Sequence, residues 1–122
     1  MTNETQFIST VPVLASLDIR RSVEFFCTHF GFSSLFEQQA SYGVVCRDSV
    51  SIHFWACAER HIAENTSCRI RISGIEPLYA KCMEAGLVHP NAPLELKPWG
   101  SREFGILDPD GNLITFTQTV DG

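Results

Sequence analysis

Pro98-Trp99-Gly100-Ser101-Arg102-Glu103-Phe104-Gly105-Ile106-Leu107-Asp108-Pro109-Asp110-Gly111-Asn112 reads as one strand and the turn of a β-hairpin. Pro109 presets the φ of a turn's second residue, the short side chain of Asp108 bonds the backbone ahead of it, and Gly111 accepts a left-handed exit. A second strand must follow. Leu113, Thr115 and Thr117 alternate there with Ile114, Phe116 and Gln118, so one set meets a core and the other faces whatever the strand lines.

Outward from this hairpin the chain repeats one plan. Asp18 is placed to cap a helix on which Ile19, Val23, Phe26 and Phe30 share a face, and Gly31 supplies its left-handed stop. A short apolar strand at Val11 to Ala15 precedes it. Ser67 to Ile72 then alternates as a strand, Ser73 or Gly74 opens a second helix with Pro77 in its first turn, and Ile75, Leu78, Tyr79 and Cys82 form its apolar stripe before Gly86. Strands are expected after each helix: Ser34 to Gln38, Tyr42 to Arg47 and Val50 to Cys57 in the first half, and Glu95 to Lys97, Arg102 to Leu107 and Asn112 to Thr119 in the second. The result is an α+β chain of two tandem βαβββ modules, about 7–57 and 67–119, in one domain over 1–122. The polar stretch Ala58 to Thr66 joins them, and Leu87 to Leu94, with Pro90 and Pro93, is a loop. A sheet covered by helices on one face leaves the other free to curl around a ligand.

Composition excludes several roles. At 122 residues, 44% hydrophobic, the chain has material for one sizeable core. No apolar run approaches the roughly 20 residues of a membrane span, and the polar start lacks the regions of a signal peptide, so a cytoplasmic location is expected. A net charge of −5 argues against a nucleic-acid partner and is compatible with a cationic small molecule. Cys27, Cys46, Cys57, Cys68 and Cys82 are an odd number scattered singly, which fits buried free thiols better than zinc or disulfides.

The motifs Val11-Pro12-Val13-Leu14, Ser22-Val23-Glu24-Phe25-Phe26, Phe30-Gly31-Phe32, Tyr42-Gly43-Val44-Val45, Glu64-Asn65-Thr66 and Gly74-Ile75 with Leu78-Tyr79, together with Pro98 through Pro109, span most of the chain. In these it resembles the bleomycin-resistance proteins of the vicinal-oxygen-chelate superfamily, which also contains glyoxalase I and extradiol dioxygenases. Pro98-Trp99-Gly100 followed by Arg102-Glu103-Phe104 is similar to the resistance branch in particular. The resemblance implies a homodimer in which an N-terminal strand crosses to the partner, with two clefts at the interface. It places Pro12 at the arm's hinge; an edge-strand proline is the plainer alternative.

Enzymes of that superfamily hold a divalent metal on His and Glu side chains, and the corresponding slots are informative. The first-strand slot is Val11, its counterpart in the second module is Ser67, and the Glu slot after the hairpin glycine is Thr115. None is a strong ligand. His53, on the fourth strand, stands alone, and one imidazole does not hold zinc, iron or manganese against water. No metal or other cofactor is expected, and no catalytic residue. There is no GxSxG turn, and Cys68, alternating with Ile70 and Ile72, falls on the helix-facing side of its strand.

In Val50 to Cys57, period two sends Val50, Ile52 and Phe54 inward and Ser51, His53 and Trp55 to the cleft. Trp55 is a stacking surface, and aromatic faces attract cations by roughly 0.5–2 kcal/mol each. By family position Phe36, Tyr42, Trp99 and Phe104 join it, with core packing the alternative for each, and Thr115 lines the same space. Glu37 and Glu103 are candidate charges for a cationic ligand. Arg69 stands where a well-known resistance protein has tryptophan, with Arg71 on the same face; two cations repel a cationic drug unless paired with a carboxylate such as Glu103 or Glu37. The function expected is non-enzymatic sequestration of bleomycin-type glycopeptides. The alternatives are a metal-dependent lyase or dioxygenase built on His53, and a binding module for another small molecule.

Overall fold

The first helix begins and ends where its caps dictate. Asp18 has extended backbone and accepts the amide of Arg21, while Gly31, at φ +66°, sends its own N–H back to Phe26. Between them α1 (Ile19–Phe30) buries Ile19, Val23, Phe26 and Phe30. The computed structural model describes residues 4–120; the ends of the expected 1–122 span, Met1 to Asn3 with Asp121 and Gly122, lie outside the described residues.

Two four-stranded sheets follow the repeat. β1 (Val13–Ser16), β2 (Ser33–Gln38), β3 (Tyr42–Arg47) and β4 (Val50–Ala56) lie in the order β1-β4-β3-β2. β5 (Ser67–Arg71), β6 (Glu95–Leu96), β7 (Ser101–Leu107) and β8 (Leu113–Thr119) lie in the matching order β5-β8-β7-β6, with α3 (Ile75–Glu84) after β5. In each sheet the first and last strands are parallel and the others antiparallel. β1 starts two residues later than expected. Pro12 has no N–H for the ladder, and its carbonyl makes the last bond, from the His53 amide at 3.0 Å. The segment 4–12 has no regular structure. The connector also holds a helical turn, α2 (Arg60–Ala63), too short to have shown a period.

The inward faces of both sheets feed one core. Phe30 meets Phe116 at a ring separation of 5.2 Å, joining the first helix to the last strand, and Phe26 meets Phe54 at 5.5 Å. α1 lies so close on β3 that a Cβ at Gly43 would come within 2.9 Å of Ile19 Cγ2.

The hairpin turn does more than reverse the chain. Gly111, at φ +95°, donates to the Asp108 carbonyl, and Asp108 Oδ1 accepts the amides of Asp110 and Asn112. Asp110, fully buried, takes the Arg21 guanidinium, Ser22 Oγ and the Leu17 amide. Asn112 donates to the Ala15 carbonyl at 2.9 Å. The turn of the second unit is thus plugged into the first, where it satisfies a helix start and a strand end.

Candidate functional site

Alternation along β3 and β4 presents Tyr42, Val44, His53 and Trp55 on the side of the first sheet opposite the core. Tyr42 Oη lies 2.9 Å from His53 Nδ1, with the two rings edge to face. Trp55, 38% exposed, stands opposite Tyr42 in the ladder, and Phe36, half-exposed on β2, faces the same way beside Val44. The structure brings Phe36, Tyr42, His53 and Trp55 onto one surface.

The second sheet carries a differently built surface. Glu103, 4% exposed on β7, lies beside Thr117 and across β8 from β5. The two terminal guanidinium nitrogens of Arg69 donate to its two carboxylate oxygens. Oε2 also accepts Trp99 Nε1 at 2.9 Å, Ser101 Oγ at 2.7 Å and Thr117 Oγ1 at 3.1 Å. The Arg69 guanidinium, followed by the hydroxyl and indole donors, pulls the Glu103 carboxyl down to about 2. Trp99 itself is 66% exposed, an indole tethered at its nitrogen with its face free. Arg69, Lys97, Trp99, Glu103, Gly105 and Thr115 border a pocket of about 220 Å³ at this spot.

Three expectations change. Phe104 points the other way from Glu103, as adjacent strand residues must; the residue borders the same pocket, but its ring is 1% exposed, edge-on to Tyr79 and beside Phe116, so the ring packs the core. Glu103 is no free charge for a cationic ligand, because it is buried, its charge is matched by Arg69, and its Oε2 takes three further protein donors. Glu37 is likewise engaged, by Arg20 at 3.6 Å. Arg69 and Arg71 also part company. Arg71 has no ion pair among the described residues and borders a larger cavity, about 500 Å³, between the C-terminal end of α1, the β3–β4 turn and the start of α3. Core-facing Ile70 and Phe116 line that cavity, and it excludes Tyr42, His53, Trp55 and Trp99. It is the seam between the two units and not the aromatic surface.

Ser101, Thr117 and Lys97 escaped the sequence reading. Ser101 and Thr117 were detectable in principle, since period two puts them on the faces of Glu103 and Thr115. Lys97 was not, because β6 ends at Leu96 and its side chain arrives from the following turn.

At the metal slots, Val11 and Ser67 are exposed and Thr115 is half-buried. Among the described residues no three His, Cys, Asp or Glu side chains gather as a metal-binding group. All five thiols are free, with Cys57 and Cys82 buried and the others half-buried. Burial pushes Cys68 and Cys82 up to about 11, so both stay protonated at neutral pH.

The chain is 33% identical to the bleomycin resistance proteins of Geobacillus stearothermophilus and Staphylococcus aureus over an alignment of 130 residues, covering 93% of this chain and 98% of each relative. It belongs to the bleomycin resistance protein family. The bleomycin-binding protein of Streptomyces verticillus, solved in complex with copper(II)-bleomycin, superposes with a TM-score of 0.82 at 27% identity, covering 98% of this chain and 100% of that one. A glyoxalase-related enzyme from Clostridium phytofermentans shares the fold at a TM-score of 0.76 and 20% identity, covering 98% and 100%. No protein-family model matches the chain. Among the described residues no helix is long and apolar enough to cross a membrane.

Proposed function

We propose that this member of the family binds bleomycin-type glycopeptide antibiotics and holds them unchanged, so that resistance follows from mass action. The observation that carries the reading is the tethered, exposed Trp99 beside the neutralised Arg69: a surface built in advance of any ligand, with little left to order on binding. Sequestration without chemistry is supported by the state of the polar groups. The wall's carboxylate is paired with Arg69 and held ionised, two of the thiols are held protonated, and the metal slots carry Val11, Ser67 and Thr115.

The reading includes a homodimer of single-domain chains, acting in the cytoplasm. A ligand touching both Trp55 and Trp99 must span two sheets that share no strand pairing, and a second copy would bring the first-sheet surface of one chain against the second-sheet surface of the other. The unstructured segment 4–12 presents Phe7, 96% exposed, and Ile8, as an arm that exchanges about Pro12 would.

Calorimetric titration of the purified protein with bleomycin tests the proposal. We expect saturation at one ligand per chain with a dissociation constant below about 1 μM. Absence of heat at tens of micromolar would refute it.

A further inference from the structure

A carboxylate on a cleft wall ordinarily serves as counter-ion to a cationic ligand. Glu103 is unable to. Its charge is already matched by the Arg69 guanidinium, which reaches both oxygens, Oε2 also accepts Trp99, Ser101 and Thr117, and the side chain is only 4% exposed. The surrounding charges are balanced as well. Glu95, opposite Glu103 in the ladder, is answered by Lys97 at 2.8 Å, and Arg102 turns to Glu76 at 2.6 Å.

We propose that Glu103 is a positioning and specificity-determining residue, which cancels the charge of Arg69 and fixes the Trp99 indole, so that this wall meets the ligand as flat surfaces without net charge. Both exposed members of the wall, the guanidinium and the indole, owe their orientation to one buried side chain. The cationic end of a ligand is then left to be recognised elsewhere. The specificity role rests on the ligand-binding reading above; the tether does not.

Two substitutions with opposite signs separate this role from simple structural support. Affinities for bleomycin, with its cationic terminal amine, and for bleomycinic acid, which lacks it, are measured at low and high salt. Glu103→Gln leaves Arg69 unbalanced and should shift the ratio of the two affinities against bleomycin by roughly fivefold to tenfold, less at high salt. Arg69→Gln leaves the carboxylate unbalanced and should shift the ratio in bleomycin's favour. If both variants weaken the two ligands equally, the specificity role is wrong.

The tether is read without ligand. The chain has two tryptophans, so a Trp55→Phe background leaves Trp99 as the only indole. Adding Glu103→Ala, which removes the acceptor that an amide would keep, should raise acrylamide quenching of Trp99 and lower its fluorescence anisotropy, and unchanged values would overturn the tether. If either Glu103 variant fails to fold, Arg69→Gln still decides the charge role, and Ser101→Ala with Thr117→Val, which frees carboxylate capacity without removing it, should leave Trp99 quenching unchanged. If the unaltered protein binds neither compound, the ligand-binding reading falls and the specificity role with it, while quenching still decides the tether.

Discussion

The two sheets carry the same strand order and opposite kinds of surface. On the first, Tyr42, His53 and Trp55 stand on a ladder with a single side-chain bond among them; on the second, Arg69, Trp99, Ser101 and Thr117 converge on one buried carboxylate. A duplicated architecture therefore does not duplicate its chemistry. The first surface is adaptable and aromatic, and the second is wired in advance, so losses on the second should be larger and more specific.

The tie between the two units is the most costly place to intervene. Asp110→Ala leaves the Leu17 amide and Ser22 without their buried acceptor and strands Arg21, whose half-exposed side chain is partly rescued by water. We expect a loss of about 2–3 kcal/mol in urea denaturation. Gly43→Ala forces α1 off β3 and should cost about 1–3 kcal/mol by the same measurement.

Trp99→Ala sets the two surfaces against each other directly. It should weaken bleomycin binding about 10-fold to 100-fold with stability nearly unchanged, since the ring is largely exposed. Trp55→Ala should cost less, because its neighbours on the first sheet are free to adjust. Equal losses would erase the distinction between a wired and an adaptable wall.

Acid sharpens the comparison further. The folded-state pKa of Glu103, about 2, lies below its ordinary 4.5, so its contribution to stability is fully present above about 4.5 and is lost as pH falls toward 2. Burial raises Asp108, which acts the other way: its charged form opposes folding, and that cost fades as pH falls. Melting curves from pH 7 to 2 should show a stability loss below pH 4.5 that Glu103→Gln makes shallower. The smallest effect belongs to Tyr42→Phe, which removes one half-buried hydrogen bond worth about 0.5–1.5 kcal/mol.

What was legible in the sequence was whatever rests on local chemistry. Asp18, Gly31, Pro109 and Gly111 act within a few residues, so the helix and turn they specify could be read directly, and alternation sorted His53 and Trp55 from Ile52 and Phe54. The errors arose where a residue's role depends on a distant partner. Asp110 reads as a turn residue until Arg21, Ser22 and Leu17 are seen around it, far away in sequence. Family position points Phe104 at the cleft and charge points Glu103 there, yet neighbours on a strand face opposite ways, and the apolar ring lies in the core. Arg69 and Glu103 were named as one pairing among several, but no sequence pattern announces that Trp99, Ser101 and Thr117 meet on the same oxygen.

The central claim is that the drug is held and not altered. Equilibrium dialysis of the purified protein against bleomycin, followed by mass spectrometry of the recovered ligand, tests it most directly. The account predicts retention of one drug molecule per chain and recovery at unchanged mass; failure to retain the drug, or recovery of a modified product, would contradict it.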